Sequence, residues 1–85
     1  MRLPLIKHIT NFIAENDQDY VLETIETLEN LIESDNVKDE ELDVIGELLS
    51  NFYGAIEVDK TIKEGKSQRE ALNEFMGRVV GCIDR

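Results

Sequence analysis

The sequence is short of the residues that most chemistry needs. Its 85 positions hold one cysteine, one histidine and one proline. A single cysteine, Cys82, excludes a disulfide within the chain, and one free thiol in a small acidic protein fits a reducing compartment. The lone histidine, His8, leaves little room for general acid–base chemistry or for a histidine-rich metal site. The lone proline, Pro4, lies at the start, so nothing in the interior forces a helix break. Lys and Arg number nine against nineteen Asp and Glu, giving a net charge of −10 at pH 7. A chain this negative lacks the clustered cations that bind phosphate backbones, and nucleic acid is not an expected partner. No run approaches the ~20 apolar residues of a membrane span. The opening stretch MRLPLIKHIT is interrupted by Lys7 and His8, unlike a signal peptide. These absences point to a cytoplasmic protein without membrane contact, and to no enzyme, cofactor or metal.

What the sequence does have is an uneven layout of charge. From residue 15 to residue 57 there are fourteen acidic residues and one basic residue, Lys38. The flanks carry the other cations: Arg2 and Lys7 before, then Lys60, Lys63, Lys66, Arg69, Arg78 and Arg85 after. The acidic stretch is also the most strongly helical part, which predicts a small helical domain with one very acidic face.

Apolar residues repeat at three and four rather than at two, which predicts four helices and no strands in one domain spanning residues 1–85. The first runs from about 4 to 16, with Pro4 in its first turn and Leu5, Ile6, Ile9, Phe12 and Ile13 on one face. The second runs from about 18 to 34. Val21, Ile25, Leu28 and Ile32 form its core face, widened by Tyr20, Thr24 and Leu31. Glu26, Glu29 and Glu33 lie opposite, with Leu22 among them. The third, from about 39 to 64, carries Asp39, Glu40 and Glu41 on its first turn, where the helix dipole favours negative charge. It shows two apolar stripes, Leu42-Ile45-Leu49-Phe52-Tyr53-Ile56 and Val44-Leu48-Ala55-Val58-Ile62. So broad an arc marks a central helix with several neighbours. Gly65 is a stop, and Ser67-Gln68-Arg69-Glu70 is a capping box opening the fourth helix. Ala71, Leu72, Phe75, Met76, Val79, Val80 and Ile83 make its apolar face. The expected fold is all-α, a compact four-helix bundle around a long third helix. Ile25, Leu28, Ile45, Leu49, Phe52, Phe75 and Val79 are expected inside.

Several features have a functional and a plain reading. Gly46, Ser50 and Gly54 recur every four residues, as do Gly77 and Gly81. Each interior glycine costs about 0.5–1 kcal/mol against alanine. The spacing fits close helix approach at a partner surface, or close packing within the chain. Gly77 projects on the side of Glu70 and Glu74, away from the apolar face. The glutamates of the second helix have no nearby histidine or cysteine and read as a solvated face rather than a metal site. Asp35-Asn36 and Asp39-Glu40-Glu41 lack the glycine and spacing of a calcium loop. Gly65-Lys66-Ser67 resembles the end of a phosphate loop, but Lys60 stands where that motif needs its first glycine. Cys82 reads as a structural thiol, with a redox role as the alternative. Asp59 and Lys63, one turn apart in the apolar arc, suit an ion pair or a polar contact at a subunit boundary.

Lys7-His8, Phe12-Ile13, Glu15-Asn16, Asp19-Tyr20-Val21, the run from Glu23 to Leu28, the run from Asp39 to Glu47, Tyr53-Gly54-Ala55-Ile56-Glu57 and Glu70-Ala71-Leu72-Asn73 together resemble a family of short, uncharacterised bacterial all-helical proteins. The resemblance covers nearly the whole chain and implies no activity and no catalytic residue. A domain of this size buries only about 60–65% of its unfolded surface, and without disulfides the usual support is oligomerisation. The expected function is therefore a non-catalytic protein–protein interaction module that self-associates. The alternatives are an accessory to thiol redox chemistry through Cys82, or an acidic decoy for a protein with a basic surface. Leu22, Glu26, Glu29, Glu33 and Gly77 are the candidate partner surface, together with the second stripe of the third helix.

Overall fold

A computed structural model describes the backbone of residues 2–83 and the side chains of residues 2–78. It contains four helices and, among the described residues, no strand: α1 (Leu3–Glu15), α2 (Asp19–Ile32), α3 (Asp39–Lys63) and α4 (Gln68–Ile83). Local chemistry sets the ends. The Lys38 backbone N–H, just ahead of α3, donates to the Glu41 carboxylate at 2.9 Å. Gly65 ends the α3 turn with φ +112°, a conformation open to glycine and strained for other residues. The capping box at α4 is complete: the Ser67 N–H donates to Glu70 Oε1 at 3.1 Å, and the Glu70 N–H donates to Ser67 Oγ at 3.2 Å.

The all-α bundle is organised by α3, which packs against each of the other three helices, while α1 also meets α4. The core holds Ile6, Ile9 and Ile13 of α1, Val21 and Ile25 of α2, Ile45, Leu49, Ala55 and Val58 of α3, and Ala71, Leu72 and Phe75 of α4. Two polar ties fix α1 along α3. The Arg2 N–H donates to Asn51 Oδ1 at 2.8 Å, and Gln18 Nε2, just past the other end of α1, donates to Asp59 Oδ2 at 3.3 Å. Asn51 is wholly buried, and its amide also donates to the Glu47 carbonyl at 2.7 Å. Both ties run in chain order, so α1 follows α3 in the same sense along residues 51–59.

Several expectations change here. Leu28 and Phe52 are half-buried rather than inside: burial falls off along α2 toward Leu28 and Ile32, and Phe52 lines an open cleft between α1 and α2. Ala55 and Val58, from the stripe expected to meet another subunit, are fully buried within the chain. Gly54 serves packing inside the molecule: a Cβ there would stand 3.0 Å from Ile6 Cδ1 and 3.1 Å from Phe75 Cζ. The expected burial of Val79 falls on a side chain outside the described residues.

The molecule is flat, with principal extents of 42 × 35 × 17 Å. Its radius of gyration is 13.9 Å, against about 12 Å for a compact domain of this length.

Candidate functional site

Helix α2 carries three parallel stripes, each with residues spaced four, three and four. Val21, Ile25, Leu28 and Ile32 face α3 and grow less buried toward the C-terminus, where Ile32 is exposed. Leu22, Glu26, Glu29 and Glu33 lie on one flank and are all exposed. Tyr20, Thr24, Thr27 and Leu31 lie on the other flank, also exposed. One flank is acidic and the other carries no charge, in a chain one-third of whose residues are charged.

The acidic flank is partly engaged. Glu29 accepts a hydrogen bond from the Tyr53 hydroxyl of α3. That bond, with the nearby negative charge, holds the Tyr53 phenol above its usual pKa. Glu29 therefore links α2 to α3 rather than pointing freely into solvent. Leu22 stays exposed among these carboxylates, while Gly77 lies on α4, with open space where a Cβ would be. The structure brings Leu22, Glu26, Glu29 and Glu33 onto one surface and leaves Gly77 on a different helix.

The uncharged flank borders a cleft of about 270 Å³ between α1 and α2. His8, Ile9 and Phe12 form one wall, Tyr20, Val21 and Thr24 the other, and Phe52 of α3 completes the lining. The Phe12 and Tyr20 rings meet edge to face with centroids 5.9 Å apart. The threonine hydroxyls beside the cleft are already spent: Thr24 donates to the Tyr20 carbonyl at 2.7 Å, and Thr27 to the Glu23 carbonyl at 2.9 Å. What this flank shows to the outside is mostly methyl and ring surface.

A family model described as a family of unknown function, DUF6952, matches residues 1–84. The chain belongs to that family. No curated protein and no solved structure matches it. Membership in DUF6952 carries no residue roles, so the chemistry has to be read from the arrangement itself.

Other candidates resolve as follows. Asp59 is buried and pairs with Lys63 at 2.8 Å, so the two make an ion pair within the chain, with the lysine end in solvent. No group of three or more His, Cys, Asp and Glu that could hold a metal ion occurs among the described residues. No described helix is long and apolar enough to cross a membrane. The side chain of Cys82, the candidate thiol, lies outside the described residues. Sequence reasoning placed Phe12, Tyr20 and Thr24 on core faces and missed that they share a cleft with His8. The available signal was the 20-24-27-31 stripe, uncharged inside the most acidic part of the chain.

Proposed function

We propose that this protein is a non-catalytic interaction module of the cytoplasm that works by associating with a second copy of itself. The observation that carries this reading is surface. The described residues leave large apolar and aromatic side chains uncovered on the surface. Phe12, Tyr20, Leu31, Val44 and Tyr53 contribute to that surface as exposed large apolar or aromatic side chains. Contiguous exposed apolar surface marks protein–protein contacts. A catalytic role has little to build on, with one histidine and one cysteine in the whole chain. Sedimentation equilibrium at tens of micromolar should return twice the 9.7 kDa chain mass. A monomer mass throughout that range overturns the reading.

A second reading, capture of a protein with a basic surface, is favoured by the exposed Leu22-Glu26-Glu33 flank. Such a complex should weaken as salt rises, because exposed charges are screened beyond ~8–10 Å at moderate ionic strength.

A further inference from the structure

We infer that the groove between α1 and α4 binds a single-chain anionic amphiphile, a small molecule with one carboxylate-type head and an apolar tail. This binding site goes beyond the self-association proposed above and does not rest on it.

The helix arrangement gives the groove its polarity. Gln68 Nε2, at the start of α4, donates to Asn11 Oδ1 of α1 at 2.7 Å. Phe75, about two turns further along α4, and Ile6, earlier in α1, both close on the Gly54 position. The two helices therefore run antiparallel, and a groove of about 540 Å³ lies between them. That volume falls in the range of small-molecule sites. One end is polar, with Gln68 and Arg69 beside the bond to Asn11. The other end is apolar, where α1 contributes Leu3 and Pro4. Lys7 stands between these ends on the α1 wall, and Leu72, buried in the core, supplies the floor on the α4 side.

Charge names the head of the ligand. Lys7 and Arg69 are exposed and make no ion pair among the described residues. This holds in a chain with nineteen Asp and Glu against nine Lys and Arg. The carboxylates of the first two turns of α4 are engaged elsewhere: Glu70 accepts from the Ser67 N–H, and Glu74 pairs with Lys66. Two cations on opposite walls suit one anionic group through charge-assisted hydrogen bonds, and the N-terminal end of α4 favours negative charge nearby. The floor names the tail. Leu3, Pro4 and Leu72 offer apolar surface on which a methylene chain leaves water.

The other anionic occupants fit less well. A net charge of −10 repels nucleic acid and anionic bilayers, whose many charges two cations do not offset. An acidic protein segment would bring several carboxylates to the same two cations.

The test uses decanoate below the concentration at which it forms micelles. It should bind with a Kd on the order of 0.1–1 mM, ordinary for so small a ligand in an open groove. In NMR spectra of nitrogen-labelled protein it should move the backbone amide signals of Leu3, Lys7, Gln68, Arg69 and Leu72 ahead of those of α2. Decanol, without the charge, and acetate, without the tail, should each bind about tenfold more weakly or worse. Lys7→Gln and Arg69→Gln change exposed positions, so circular dichroism should keep the wild-type helix content. Each should weaken decanoate binding by about threefold to tenfold, the loss of one charged contact. Lys38→Gln, ahead of the far end of α3, should leave it unchanged. Decanoate that moves no groove signal at about 5 mM overturns the site. So does decanol that binds as tightly as decanoate, or Lys38→Gln that weakens binding as much as Arg69→Gln. Shifts centred on the α1–α2 cleft would also overturn it, in favour of that cleft.

Discussion

Residues 39–50 and 51–62 of α3 belong to one unbroken helix with a similar supply of apolar side chains, yet their surroundings differ. In the second half Asn51, Gly54, Ala55, Val58, Asp59 and Thr61 are all buried. In the first half only Ile45 and Leu49 are. The cause lies in the neighbours. Helix α1 begins beside Asn51, where Arg2 is tied, and α4 brings Phe75 to Gly54. The first half projects past the start of α1 and leaves Val44 exposed. A hydrophobic stripe thus becomes core or surface according to where other helices stop.

Breaking the dense half should have the largest effect. Ile6 is fully buried against Gly54, and Ile6→Ala should cost about 2–5 kcal/mol in urea unfolding. A loss below ~1 kcal/mol would mean that the two halves of α3 are equally loose.

Two glycines on the same helix sharpen the contrast. Gly54→Val would drive new methyl groups against Ile6 and Phe75, two buried side chains on different helices that would both have to shift. It should destabilise by about 1–3 kcal/mol. Gly46 has nothing within 4 Å of its missing Cβ, so Gly46→Ala should stabilise by roughly 0.5–1 kcal/mol. Opposite signs for these two substitutions, read by the same unfolding experiment, are the sharpest form of the comparison. Equal signs would erase it.

The smallest effect concerns the α4 cap, outside both halves. Hydrogen bonds from the Ser67 N–H and hydroxyl hold the Glu70 carboxyl below its usual pKa. The folded state therefore prefers ionised Glu70. Its contribution is present above the ordinary carboxylate range and is lost as pH falls through the lowered folded value. Glu70→Gln should be slightly less stable than wild type at neutral pH, and the gap should close in acid. A gap that widens in acid would contradict the cap.

Helices and their ends were readable because they depend on local chemistry. The three-four spacing, the Ser67–Glu70 box and Gly65 each act within a few residues, and all three reappear in the structure. The offsets between helices were not readable, and they decide the rest. Nothing local separates Gly46 from Gly54, or Val44 from Val58. Asn51 could have been noticed, since it continues the Ala55-Val58-Ile62 spacing by one turn, a position where a buried polar side chain needs hydrogen-bond partners. The acidic flank was legible directly, whereas the link from Glu29 to Tyr53 and the cleft beside Phe12 needed the third dimension.

The unequal company that the helices keep also has a consequence in time. Helix α3 is held on several sides, but α2 leans chiefly on α3 alone. Amide protons around residues 51–62 can therefore reach solvent only when the whole molecule opens. Those of α2 can exchange through a smaller event in which that helix lifts by itself. Deuterium labelling should divide the chain into a slow spine and a faster outer helix, and the faster part is the one that carries the acidic flank offered to a basic partner.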